Sequence, residues 1–200
     1  QPWLDRGSRQ AEARFFQASA LRGLGRDEAF LAQTQALVRD YPSSSWAEEA
    51  LNNLGTYYIL KNDDAQAAQA FTELYEKFPG GQRAERAAWK SGWWAYKNAD
   101  YGETVRVFEK AAASFPRSDY RPLFLYWSAR SYAKLGAGGD AQSRLRLIVT
   151  DYGNSYYGRL AGRHLSRSAQ TTLVADAVPA ARQSPPRPAD PANAGVIRLL

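Results

Sequence analysis

The sequence predicts an all-α fold, an α-solenoid of about four helical hairpins with a C-terminal tail rich in proline and alanine. Three observations predict it: a dipeptide that recurs at a fixed interval, apolar residues at helical spacing within each interval, and turn-forming residues midway. The dipeptide is Tyr41-Pro42, Phe78-Pro79, Phe115-Pro116 and Tyr152-Gly153, and each follows the one before by 37 residues. Repeats of this length stack on one another, because a single unit cannot bury its own apolar face.

Within a unit, the apolar residues mark two amphipathic helices. Leu51, Leu54 and Tyr58 lie at i, i+3 and i+7, and a second set of apolar residues follows the same spacing between positions 67 and 75. The proline of the dipeptide ends the second helix, because it cannot donate the amide hydrogen bond that a continuing helix needs. Each unit is therefore predicted to be a hairpin of a first helix, helix A, and a second helix, helix B.

The segments between helix A and helix B supply turns and N-caps. In "KNDDA", Asp63 or Asp64 is predicted to accept from the free amides of the next helix, and "KNADY" takes the same place 37 residues later. In the fourth unit, "GAGGD" at 136–140 is predicted to be a loop with Asp140 as the cap. No strand precedes this glycine-rich stretch and no lysine follows it, so phosphate binding is not expected there.

The repeat also predicts the domain boundaries. Residues 1–9 form a lead-in, and residues 10–168 form the repeat domain, with units at about 10–46, 47–83, 84–120 and 121–157 and a further helix at 156–168. Residues 169–193 contain five prolines and no aromatic residue, which predicts a linker, and 194–200 begin another helix.

Composition excludes several functions. The chain has no cysteine and a single histidine, His164, so neither a disulfide, a zinc site nor a cofactor is expected, and His164 is assigned a structural or solvent-facing place. No apolar stretch reaches 18 residues, so no membrane span or signal peptide is expected. Because there is no methionine, Gln1 is expected to follow processing or excision. Residues 121–200 hold 11 basic and 4 acidic residues but no basic block, so nucleic acid is not an expected partner.

Equivalent positions of the units form columns of like residues, and these columns resemble the tetratricopeptide repeat. That repeat has a small residue in helix A, then an alanine, a large apolar residue and a proline in helix B. The matching residues are Gly55, Ala67, Phe71 and Pro79; Gly92, Thr104, Phe108 and Pro116; and Ala129, Ala141, Leu145 and Gly153. The first unit is degenerate, with Ala18, Phe30, Thr34 and Pro42, and the three extra residues of each period are placed after the proline.

Three stretches carry a more specific resemblance. They are "AAWKSGWWAYKNADYGETVRVFEKAAASFP" (87–116), "LFLYWSARSYAKLG" (123–136) and "DAQSRLRLIVTDYGNSYYGRLAGRHL" (140–165). Together they resemble the superhelical region of the soluble lytic murein transglycosylases, which closes on a similar "SYYG" element before the catalytic domain. The resemblance implies that Tyr156 and Tyr157 form that junction and that the parent protein is periplasmic. The catalytic glutamate-serine pair of that family is absent from residues 1–200, so this chain is expected to be a non-catalytic part.

Helix A of such a repeat is expected to line the concave surface, where aromatic rings could stack on sugars and basic residues could meet carboxylates. The candidate binding residues there are Trp89, Trp93, Tyr96, Tyr126, Arg86, Lys97, Arg130 and Lys134. Packing between helices is the competing interpretation of these rings. Trp94 and Trp127 are assigned to the other face and to packing.

The expected function is therefore a monomeric scaffold of a periplasmic peptidoglycan lytic transglycosylase, which binds peptidoglycan or envelope proteins without a cofactor. An alternative stays open. The segment "YPSSSWAEEA" at 41–50 also resembles the repeats of stand-alone envelope adaptors, such as the Tol-Pal coordinator and the outer-membrane assembly lipoprotein.

Overall fold

Helices account for every regular element in the part of the chain that the computed structural model describes, which is the backbone of residues 7–176 and the side chains of residues 9–167. They are α1 (Gly7–Gly23), α2 (Asp27–Asp40), α3 (Ser45–Leu60), α4 (Asp64–Lys77), α5 (Ala84–Lys97), α6 (Tyr101–Ser114), α7 (Arg121–Lys134), α8 (Gly138–Tyr152) and α9 (Tyr156–Asp176). From α1 to α8, each helix packs against its neighbours in sequence. The prediction of an all-α solenoid of TPR-like hairpins is confirmed.

The helices pair as hairpins over residues 7–40, 45–77, 84–114 and 121–152, followed by α9. The chain divides into two units, Gln1–Leu165 and Ser166–Leu200. Helix α1 begins at Gly7, inside the predicted lead-in. Helix α9 continues to Asp176, so the prediction of a linker from residue 169 is wrong for 169–176. The rest of the predicted linker and the helix predicted at 194–200 lie outside the described residues.

The cores of the second and third hairpins rest on a close approach between helix A and helix B. A Cβ atom added to Gly55 would lie 2.7 Å from the ring of Phe71, and one added to Gly92 would overlap the ring of Phe108. Both phenylalanines are fully buried. A small residue in helix A therefore lets the large side chain of helix B reach the helix backbone, as the repeat columns predict.

The turn inside each hairpin repeats with the same period. Four residues at this turn have left-handed backbone: Gly25 (φ 69°), Asn62 (φ 58°), Ala99 (φ 60°) and Gly136 (φ 79°). The amide after each of them donates to the carbonyl oxygen five residues before it, always at 2.9 Å; Asp63 N to Tyr58 O is one example. This is the Schellman arrangement, which satisfies the carbonyl groups left free at a helix end. The column went unnoticed in the sequence because only two of its four members are glycine.

In two hairpins the residue after the left-handed position is an aspartate, and its side chain caps the following helix. The carboxylate of Asp63 accepts from the Gln66 amide and that of Asp100 accepts from the Glu103 amide, each at 3.0 Å. The prediction of Asp140 as a cap is wrong. Ala137 occupies the equivalent position, α8 begins at Gly138 within the predicted loop, and Asp140 lies in the first turn, where it pairs with Arg144.

The link between one hairpin and the next contains a buried carboxylate. Ser44 and Ser118 each accept a hydrogen bond from the amide two residues later, whereas the equivalent residue in the second link is Gly81. There Glu48, only 7% exposed, reaches across from helix A, and its Oε1 accepts from the Arg83 amide at 2.6 Å. Glu48 therefore has a structural role in this link.

The junction before α9 explains the "SYYG" stretch. The link between α8 and α9 is only residues 153–155, and a Cβ at Gly158 would overlap the carbonyl oxygen of Tyr152. Tyr157 packs on Tyr126 with ring centroids 5.3 Å apart, and burial raises the pKa of Tyr157, whereas Tyr156 is 64% exposed. The glycine allows the short link, and one tyrosine of the pair is used for packing.

The left-handed turn gives a prediction on stability. Ala99→Gly should stabilise the protein by about 1 kcal/mol, because a left-handed conformation strains a residue with a Cβ and Ala99 is exposed. Gly136→Ala, where an added Cβ meets no atom within 4 Å, should destabilise it by about the same amount. Urea unfolding followed by circular dichroism measures both, and equal stabilities for all three proteins would contradict the assignment.

The junction gives a second prediction. Gly158→Ala should cost about 2 kcal/mol or more, because the backbone of Tyr152 must move to admit the methyl group. Gly102→Ala in α6 is the matched control, since the nearest atom to its added Cβ is 3.8 Å away and alanine favours a helix. Thermal unfolding compares the two variants, and a melting temperature for Gly158→Ala at or above that of the control would show that the close approach carries no cost.

Candidate functional site

A row of stacked aromatic rings runs along one face of α5. The ring centroids of Trp89 and Trp93 are 5.3 Å apart at an interplanar angle of 25°, and those of Trp93 and Tyr96 are 5.7 Å apart at 10°. The three residues share a face because they lie at i, i+4 and i+7. All three are partly buried, so the rings present some surface to solvent while they pack on one another.

Trp127 of α7 closes this row from the next unit. Its ring meets Trp93 edge-on at 4.8 Å and Tyr96 edge-on at 4.7 Å, so the assignment of Trp127 to the other face is wrong. Position 127 lies towards the preceding unit, where large rings of α5 reach it. The two preceding units have Asn53 and Lys90 at this position, and a tryptophan after two polar residues was the sequence signal. We call Trp89, Trp93, Tyr96 and Trp127 the aromatic row.

Tyr126 is part of the core, in contrast to its predicted place on an open binding surface. It is 4% exposed and packs with Phe124 and Leu125 in the main hydrophobic cluster. Its hydroxyl lies 3.1 Å from Nε2 of His164, which is partly buried beside it. Tyr126 therefore packs beneath this surface, against the ring of Trp127.

Arg130 is held beside the aromatic row by neutral groups. Its Nη1 donates to the Tyr126 hydroxyl at 3.4 Å, and its guanidinium carbon lies 5.9 Å from the ring centroid of Trp127. The hydrogen bond with Tyr126 raises the pKa of Arg130, so this side chain stays charged. Arg130 is partly buried, and it forms no ion pair within the described part of the chain.

The other predicted basic residues differ in how far they are already bound. Arg86 donates to Asn52 and Thr56 of α3, and its guanidinium lies over the ring of Phe71. Lys97 pairs with Asp64 at 2.7 Å. Lys134 is exposed. The structure thus brings Arg130 to the aromatic row and uses Arg86 and Lys97 to join neighbouring hairpins.

Trp94 has the packing environment that its sequence position predicts. It lines a cleft with Ala68 of α4, where Trp93 is also at the edge, and the ammonium of Lys97 lies 5.0 Å from the Trp94 ring centroid. Trp94 therefore does not belong to the aromatic row, although it follows Trp93 directly.

The described residues contain no group of three or more His, Asp or Glu side chains that could hold a metal ion. Among the helices that the structure describes, none is both long enough and apolar enough to cross a membrane. What the surface offers is a row of aromatic rings beside the guanidinium group of Arg130.

Comparisons with known proteins give the same fold. The tetratricopeptide repeat family model matches residues 49–81, which correspond to the second hairpin. Among solved structures, the TPR-like repeats of a Podosopora anserina kinesin light chain align at a TM-score of 0.52 and 14% identity, over 86% of this chain and 90% of that one. Another structure of these repeats aligns at the same TM-score and 13% identity. No curated protein matches the chain. At such low identity the likeness establishes a TPR-like fold alone.

The buried position of Tyr126 gives a third prediction. Tyr126→Ala should destabilise the protein by about 3 to 5 kcal/mol, as removal of a buried ring does, and Tyr126→Phe by about 1 kcal/mol through the lost hydroxyl contacts. Tyr156→Ala, the exposed control, should change the free energy of unfolding by about 0.5 kcal/mol or less. Urea denaturation tests this order, and similar losses for the two alanine variants would return Tyr126 to the surface.

Proposed function

We propose that this chain is a non-catalytic, TPR-like binding module of a periplasmic peptidoglycan lytic transglycosylase, and that its aromatic row binds a fragment of the cell wall. The observation that carries the proposal is the geometry of the row: four large rings from two consecutive hairpins, partly exposed, with Arg130 beside them. Aromatic rings and arginine are the residues most often found at the centre of binding surfaces.

The sequence motifs supply the biological context. The resemblance to the soluble lytic murein transglycosylases rests on residues 87–165, and the aromatic row, Arg130 and the "SYYG" junction all fall within that range. A TPR-like scaffold with stacked rings suits such a role, since it supplies a surface and leaves cleavage to a separate domain. The periplasm is the compartment that this function requires.

The geometry also supports a mode of binding. Sugar rings present flat faces of C–H groups that can lie against Trp93, Tyr96 and Trp127, much as one aromatic ring packs on another. The partly buried rings are held by their neighbours, so little side-chain entropy is lost when a ligand is bound. We therefore expect the row to be preformed in the free protein.

The aromatic row gives a fourth prediction. Trp93→Ala should weaken the binding of purified muropeptides about tenfold or more, because Trp93 contacts the other three rings of the row. Trp94→Ala is the matched control, since it removes a tryptophan one residue away that faces α4, and its affinity should stay near that of the parent chain. Isothermal titration measures the affinity, and circular dichroism verifies that both variants are folded.

Two outcomes would contradict the proposal. Unchanged binding by folded Trp93→Ala would remove the aromatic row from the binding surface. Release of anhydromuropeptides from sacculi by this chain alone would overturn its non-catalytic assignment. Capture of a defined envelope protein, without affinity for wall fragments, would favour the alternative of a stand-alone adaptor.

A further inference from the structure

Basic residues near the aromatic row differ in whether they form ion pairs with acidic side chains. Towards α3 and α4, Lys97 pairs with Asp64 at 2.7 Å, and Arg83 pairs with Glu49 at 2.8 Å. Towards α7 and α9, Arg130, Lys134 and Arg163 form no ion pair within the described residues. Arg86 and Lys90 of α5 form no ion pair among the described residues either, but Arg86 is hydrogen-bonded to Asn52 and Thr56 of α3. The ion pairs with Asp64 and Glu49 lie on the α3 and α4 side, so the positive charge is least balanced at the α7 and α9 end.

Among Arg130, Lys134 and Arg163, the position of Arg130 is the hardest to explain by a structural role. Its guanidinium is partly buried, and the groups it contacts, the Tyr126 hydroxyl and the Trp127 ring, are neutral. Removing a cation from water is unfavourable unless an anion or several hydrogen bonds replace the water. A guanidinium has five donors, and a single hydrogen bond at 3.4 Å leaves most of them available.

The repeat register places two more cations around Arg130. Lys134 follows it by one helical turn on α7, and both its position and its exposure leave its ammonium group in solvent. Arg163 of α9 occupies the same column as Trp89 and Tyr126, 37 residues after Tyr126, and is exposed. No acidic residue occurs in α7, and none occurs in α9 before Leu165.

We propose that this end of the surface binds the carboxylate groups of an anionic ligand, and that Arg130 is the residue that fixes one carboxylate in a two-point contact. Lys134 and Arg163 attract the remaining negative charge from solvent. The inference rests on the proposed function and deepens it: the wall fragment is recognised by its peptide carboxylates as well as by its sugars. Trp127 and Arg163 join the binding residues, and the ligand lies with its acidic part towards α7 and α9.

Arg130 is well suited to such a contact. A planar guanidinium matches a carboxylate with two parallel hydrogen bonds, and a site held by a ring and a hydroxyl is already oriented for it. The surrounding rings lower the local exposure to water, which strengthens a charge pair relative to one in solvent. Arg130 should therefore account for affinity, and the two exposed cations for the dependence of binding on salt.

The test uses the full chain and three ligands: a disaccharide tetrapeptide muropeptide, the same muropeptide with its carboxylates converted to amides, and neutral chitotetraose. Amidation should weaken binding about tenfold or more. Arg130→Gln should weaken binding of the acidic muropeptide about tenfold, without changing the affinity for chitotetraose or for the amidated ligand. Arg130→Lys, which keeps the charge but loses the planar fork, should lie between the two.

Arg146→Gln on α8 is the charge-matched control, since Arg146 is exposed and donates a hydrogen bond to Gln142 of the same helix. Its affinities should match those of the parent chain. Equal binding of acidic and amidated muropeptides, with no effect of Arg130→Gln, would overturn the carboxylate site and leave the proposed function intact. Absence of binding to both muropeptides and chitotetraose would overturn the proposed function and this inference together.

Discussion

Each hairpin depends on one close approach, in which helix B sets a large apolar side chain against the backbone of helix A. Gly55 and Gly92 make room for the rings of Phe71 and Phe108. The fourth hairpin has Leu145 at the position of these phenylalanines. The first hairpin has Thr34 there, and Phe30, one turn earlier, is its buried ring. Because this contact fixes how far apart the two helices lie, it makes the hairpins equivalent, and a column of residues keeps one environment from unit to unit.

That equivalence extends to the turns, where the chain tolerates imperfect residues. The left-handed position is glycine in two hairpins, asparagine in one and alanine in another, and the same Schellman hydrogen bonds form in all four. A strained Ala99 costs about 1 kcal/mol, which is small beside the burial of the phenylalanine rings in the adjoining core. The link turns show the same tolerance, since the carboxylate of Glu48 replaces the serine that Gly81 lacks.

The 37-residue period predicted the helices of each hairpin and where they end. It did not predict the end of the last helix or the burial of residues between neighbouring hairpins. Helices α2, α4 and α6 stop directly before the aromatic-proline pairs, as expected. The prediction of Asp140 as the N-cap of α8 was wrong because it relied on residue type. The position equivalent to Asp63 and Asp100 is Ala137. Tyr126 was predicted at the surface but is buried, and Trp127 was predicted on the other face but joins the aromatic row. The spacing along a single helix shows which residues share a face, but not how deeply the next hairpin covers them. The end of α9 was missed because no repeat column extends that far.

The columns on the helix-A face change most from unit to unit. In one of them, Asn52, Trp89, Tyr126 and Arg163 succeed one another, with Asn52 and Tyr126 buried, and in another Thr56, Trp93 and Arg130 do. These side chains change from polar to aromatic to basic, while the buried columns keep small and large apolar residues in step. Since the fold depends on the buried columns, a ring or a cation on the helix-A face can be gained without losing the hairpin, which makes that face adaptable. The same freedom has a limit, because Arg86 and Lys97 show that a basic residue there can also be used to join one unit to the next. A cation on this face is therefore informative about a ligand only when, like Arg130, its charge is unpaired and its contacts within the protein do not join one hairpin to the next.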